Sequence, residues 1–167
     1  MVDYFRANQI DFLWAHQKPS GHWAGKHRTV SSYIDEDSTK IAVNRNPHTR
    51  TVSFYRFLQR WYTLECSFDE FVIEKRVPTD NRTVVSPWRC QVEWMLHNNQ
   101  MAIDKIFCFE NLQAELQEYF NITAPMNRVN VTNVEEADLM SWYRPETYDI
   151  VRQHFDQDFK ILGYAQL

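Results

Sequence analysis

Glycine is nearly missing from this chain: Gly21, Gly25 and Gly163 are the only three in 167 residues. A triphosphate cradle of the G-x-x-x-x-G-K-[S/T] kind needs glycine to turn backbone N–H groups onto an anion, and that pattern is absent, so a P-loop-like kinase ranks last among the functional classes. Cysteine is equally sparse. Cys66, Cys90 and Cys108 are odd in number and show no C-x-x-C spacing, which indicates neither a disulfide framework nor a zinc site; buried free thiols are expected, and no metal. No apolar run approaches membrane-spanning length, and the start, MVDYFRANQIDF, lacks the charged beginning and apolar middle of a signal peptide. A cytoplasmic location is therefore expected, and with it no glycan on the sequons at Asn81, Asn121 and Asn130. Positive charge is not in excess either: the net charge is −4 with both signs interspersed, which argues against a general nucleic-acid binder. Any anion site has to be local.

What the chain does have is aromatic residues, 15% of the total, and a length suited to one domain with a sizeable core. A single domain over residues 1–167 is expected. The most informative stretch is Lys40 to Tyr62, KIAVNRNPHTRTVSFYRFLQRWY. Ile41, Ala42 and Val43 suit a short buried strand, and Asn46-Pro47 supplies an N-cap followed by a first helical residue that needs no N–H. Val52, Tyr55, Leu58 and Trp61/Tyr62 then recur at helical spacing, with Arg50, Arg56 and Arg60 expected on the wet side. Arg45 stands at the junction of strand and helix, where an anion is most easily held. Upstream, Ile10 to His16 reads as a strand, Gln17 to Gly21 as a turn and Trp23 to Ile34 as a helix, so a βαβ unit of about 35 residues precedes the junction.

Arg45-Asn46-Pro47, Arg50 and Ser53-Phe54-Tyr55 resemble the R-x-P-x-x-R-x-x-S-x-Y segment of the carbohydrate sulfotransferases, the family that includes the heparan and chondroitin sulfotransferases. Three further segments follow in that family's order. Ser67 to Ile73, with capping-box spacing between Ser67 and Glu70, resembles its t-F-e-e-F-v helix. The string D-K-I-F-C-F-E-N-L from Asp104 to Leu112 resembles its D-x-I-x-R-F-E-N-L, with Cys108 where Arg is common, and continues into a helix from Gln113 to Phe120. Tyr148 to Tyr164 resembles its terminal Y-x-x-x-I-V-x-x-x-Y-x-x-D-F-x-x-F-G-Y, here a helix begun by Pro145 and stopped near Gly163.

The resemblance implies an α/β fold of the P-loop NTPase-like sulfotransferase type, with a mostly parallel sheet flanked by helices, and transfer of a sulfuryl group from PAPS (3′-phosphoadenosine 5′-phosphosulfate) to a hydroxyl of a carbohydrate or similar acceptor. By that resemblance Arg45 and Ser53 would hold the donor's 3′-phosphate. Gln17 to His22 stands where the family has its P-K-T-G-G-T loop, with Lys18 and Ser20 as the matching donor contacts, Lys18 and Pro19 in swapped order and His22 in place of a glycine. Either the loop is compacted and degenerate, or the chain starts after the family's first βα unit. His27 is the first candidate for the base that takes the acceptor proton and His22 the second, imidazole being suited to that task near neutral pH. Arg128, in a segment similar to the family's P-H-x-N-x-S/T loop, would add positive charge beside the phosphosulfate. Arg89, Gln91 and Trp94 match cleft positions in R-P-Q-x-x-Y/W, with Cys90 in place of proline. The alternative is a catalytically inactive relative that binds a nucleotide or glycan on the same scaffold; poor glycine content favours it, and the Arg45/Ser53 pair favours the enzyme.

Overall fold

A short parallel strand pair and a set of packed helices make up the architecture of the computed structural model, which describes residues 39–62, 64–76, 87–125 and 136–164 together with Val30. In chain order the elements are β1 (Ile41–Asn44), α1 (Pro47–Trp61), α2 (Phe68–Ile73), α3 (Val92–Met95), β2 (Leu96–His97), β3 (Gln100–Met101), β4 (Lys105–Cys108), a 3-10 turn (Phe109–Asn111), α4 (Leu112–Phe120), α5 (Glu136–Trp142), α6 (Pro145–His154) and α7 (Asp156–Ile161). The chain is mixed α/β and falls into two compact units, which divide after Asn44, after Val92 and after Val131. The strand, turn and helix expected before residue 39 lie outside the described residues, apart from Val30.

In the first unit β1 and β4 pair in parallel, Ile41 opposite Lys105 and Asn44 opposite Cys108. Asp104 fixes the entry to the pair: its Oδ2 accepts from the Lys40 N–H at 2.6 Å and its own N–H donates to the Lys40 carbonyl at 2.8 Å. Phe107, Leu112 and Leu116 form the core of this unit, with Ile41, Val43 and Phe120 against them. The expected strand from Met101 to Phe109 is instead two strands. β2 and β3 form a hairpin whose turn residues, Asn98 and Asn99, have φ of 50° and 61°, the paired left-handed conformation of a type I′ turn that Asn accepts readily. The Ala102 N–H donates to the Met95 carbonyl at 2.9 Å, which carries the same register one residue further before β4 begins.

The second unit is helical. Asn46 caps α1 by accepting from the His48 N–H at 2.9 Å, and Pro47 occupies the first turn, as expected of that dipeptide. Val52, Tyr55 and Leu58 are buried together with Phe68, Phe71 and Val72 of α2, whose capping box between Ser67 and Glu70 is formed. One expectation for α1 is narrowed and another fails. Of the Trp61/Tyr62 pair only Tyr62 packs against the core while Trp61 is 58% exposed, and Arg50 is not wet: its guanidinium lies 5.4 Å from the centre of the Phe155 ring. An arginine stem can lie along an apolar surface while a ring face accepts its cation, which makes this position tolerable inside.

The helix expected from Pro145 to Gly163 is likewise two helices. Phe155, fully buried, stands at the joint with φ −101° and ψ 25°, and the turn of direction starts α7 with Asp158 and Phe159 both facing inward. Gly163 has φ +75°, a left-handed conformation that stops the chain's helical course where expected.

Candidate anion site

Arg45 precedes the N-cap of α1, and its main chain is held on both sides by one side chain. Its N–H donates to Gln91 Oε1 at 2.9 Å, and its carbonyl accepts from Gln91 Nε2 at 2.8 Å. The Arg45 side chain is directed as well. Nε–H donates to Thr49 Oγ1 at 3.1 Å, and the Thr49 hydroxyl in turn donates to the Asn46 carbonyl at 3.0 Å. Thr49 and Ser53 are one turn apart on α1 and so share an edge of the helix. Arg45 and Ser53, the two expected 3′-phosphate ligands, therefore belong to one helix end, with Thr49 between them. No acidic residue stands in the first turn of α1 itself, and a helix of this length presents a positive dipole end at Pro47.

Gln91 is itself fixed by a buried carboxylate. Asp158 is fully buried, and its Oδ2 accepts from the Gln91 N–H at 2.8 Å and from Gln91 Nε2 at 3.3 Å, while Oδ1 accepts from the Val92 N–H at 2.9 Å. A buried carboxylate is tolerated only when its lone pairs are taken up, and here N–H groups take them. Burial pulls the Arg50 guanidinium below its ordinary value, while the charge of Asp158 works in the opposite direction.

His48, the second residue of α1, escaped the sequence reading. It is 2% exposed and stacked on Tyr148 with ring centres 3.8 Å apart, and Tyr143 meets it edge-on at 5.3 Å. Burial lowers its pKa from 6.5 to about 4, although a contact between its Nε2 and the Tyr148 carbonyl at 3.3 Å pulls the other way. At neutral pH the ring is uncharged, and its role is packing. The register would have shown this, because residues 48, 52 and 55 fall on one helical face with two apolar members. Tyr143 is also held neutral, its pKa raised by burial, and its hydroxyl donates to the His48 carbonyl at 2.9 Å.

Of the other sequence-derived candidates, Lys18, Ser20, His22, His27 and Arg128 lie outside the described residues. Among the proposed cleft residues, Gln91 is buried at 9% exposure and turned to Arg45 rather than outward. Cys66, Cys90 and Cys108 are all free thiols, but only Cys90 is buried, so the expectation of three buried thiols fails for the other two. Among the described residues no helix is long and apolar enough to cross a membrane. Compared with protein-family models, curated proteins and solved structures, the chain finds no match in any of the three.

Proposed function

We propose that this chain is a PAPS-dependent sulfotransferase of the P-loop-like α/β type, which moves a sulfuryl group to a hydroxyl of a carbohydrate or similar small acceptor. The observation that carries the reading is the end of α1, where Arg45 is bonded to Thr49 one turn before Ser53, beside a helix start without acidic residues. That arrangement suits a dianionic 3′-phosphate, which an arginine and a hydroxyl can hold by charge-assisted hydrogen bonds next to a helix N-terminus. The parallel pairing of β1 with β4 is compatible with the fold that such enzymes use.

In this mechanism His27, with His22 as second choice, takes the proton of the acceptor hydroxyl as its oxygen bonds to sulfur and the sulfur–oxygen bond to PAP (3′-phosphoadenosine 5′-phosphate) breaks. Lys18 and Ser20 hold the departing 5′-phosphate, and Arg128 adds charge beside it. The reading is tested by transfer of radiolabelled sulfate from PAPS to a panel of glycans. Transfer that falls at least about a hundredfold in His27→Ala is expected for loss of a general base. Transfer that survives both His27→Ala and His22→Ala removes the catalytic assignment, and no transfer to any acceptor by a chain that still binds PAP makes it a nucleotide-binding protein instead.

A further inference from the structure

We propose that Gln91 is a positioning residue for Arg45, and that Asp158 acts through Gln91 to set the direction in which the Arg45 guanidinium leaves the chain. The inference rests on the reading of Arg45 as a 3′-phosphate ligand but adds what aims it. A primary amide carries a donor and an acceptor at fixed separation, and Gln91 spends both on the same residue: Oε1 on the Arg45 N–H and Nε2 on the Arg45 carbonyl. Two such bonds hold both main-chain polar groups of Arg45 in the way a paired strand would, at a place where the chain has left β1 and has not yet entered α1. The direction of the Cα–Cβ bond is thereby fixed, and the Nε–Thr49 bond fixes the next part of the side chain.

Asp158 removes the remaining freedom. Its Oδ2 accepts from Gln91 Nε2 and from the Gln91 N–H, which orients the amide with nitrogen toward the carboxylate and oxygen toward the Arg45 N–H. A flipped amide would set Oε1 against a carboxylate oxygen and against the Arg45 carbonyl, so only one orientation is satisfied. Gln91 therefore acts on an anion through Arg45, with Asp158 one step further back. Arg50, also near Asp158, sits over the Phe155 ring.

The test compares PAP with adenosine 5′-phosphate, which lacks the 3′-phosphate, in wild type and in Gln91→Met, a side chain of similar volume without the hydrogen bonds. PAP affinity is expected to fall about tenfold while adenosine 5′-phosphate affinity stays within about twofold, since a misdirected arginine costs only the contact to the 3′-phosphate. In the Arg45→Ala background Gln91→Met is expected to add nothing, whereas a general loosening of the fold would weaken both nucleotides and add in both backgrounds. A second variant covers poor folding of the first. Gln91→Glu keeps an acceptor for the Arg45 N–H but faces the Arg45 carbonyl and Asp158 with a carboxylate, and its PAP affinity is expected to recover relative to wild type as the pH drops toward about 5 and that carboxyl takes a proton.

A direct readout that needs no nucleotide is the Arg45 Nε–H resonance. It is expected to be hydrogen-bonded and slow to exchange in wild type, and to move to the solvent-exposed position in Gln91→Met. If that resonance is unchanged in Gln91→Met, the positioning role is overturned whatever binds. If the resonance moves and wild type does not bind PAP, positioning stands and the 3′-phosphate reading falls.

Discussion

Two arginines near the start of α1 are used in opposite ways. Arg45 has its main chain tied to Gln91 and its Nε–H on Thr49, so hydrogen bonds to neutral groups direct it. Arg50 lies over Phe155 with its Nη1 buried and without a hydrogen-bond partner, and it is burial that lowers its pKa. One cation is aimed; the other is absorbed into the helical core, where Asp158 and an aromatic face offset the loss of water. The contrast shows that positive charge in a motif does not define an anion site. What surrounds each guanidinium decides it.

Asp158 serves both arginines, so its removal should have the largest effect. Asp158→Ala leaves the N–H groups of Gln91 and Val92 and the Gln91 Nε2 without their acceptor and takes away a carboxylate that favours the Arg50 charge. A loss of about 3–5 kcal/mol is expected, read as a lower urea midpoint with an unchanged slope. A loss under about 1 kcal/mol would mean that the contrast between the arginines does not depend on this carboxylate.

His48 lies between the two arginines in sequence and gives the next largest effect. Because its folded pKa is depressed to about 4 from 6.5, the unfolded chain binds a proton between those values that the folded chain does not. Its contribution is complete above about pH 6.5 and is lost as the pH falls through about 4, a change of up to about 3 kcal/mol. Chemical unfolding in steps from pH 7 to pH 4 measures it, and His48→Phe, which keeps a ring against Tyr148, should remove this part of the slope.

The smaller effects separate the arginines themselves. Arg50→Lys keeps the charge but loses the flat group over Phe155, and about 1 kcal/mol of stability should go with it. Arg45→Ala should cost about 0.5 kcal/mol or less, since the two Gln91 bonds go to main-chain atoms that alanine retains. Equal costs for the two substitutions, read from the same urea curves, would erase the distinction.

Much of the local structure was legible because it depends on neighbours in sequence. Asn46-Pro47 announces its helix, Ser67 and Glu70 their capping box, and Phe68, Phe71 and Val72 one buried face. The misses come from distance along the chain. Arg50 looks solvent-bound in a helical projection until Phe155 is brought beneath it, and the breaks between Met101 and Lys105 and at Phe155 fall inside stretches whose apolar residues continue on either side. The candidate site divides the same way. Arg45 and Ser53 are singled out only by the resemblance of their segment to a sulfotransferase one, and Gln91 was read as a cleft residue, because only the fold turns it onto the Arg45 main chain. Asp158 did carry a signal, a carboxylate on the same helical side as Phe155 and Phe159, and its meaning appears only with Gln91 beside it.

Calorimetric titration with PAP tests the central claim most directly, because it asks whether the end of α1 holds a 3′-phosphate without requiring the acceptor to be known. Micromolar binding by the wild-type chain, weakened at least about tenfold in Arg45→Ala while that variant stays folded, is the predicted result. Absence of PAP binding by the wild-type chain, or binding that Arg45→Ala leaves unchanged, would contradict it.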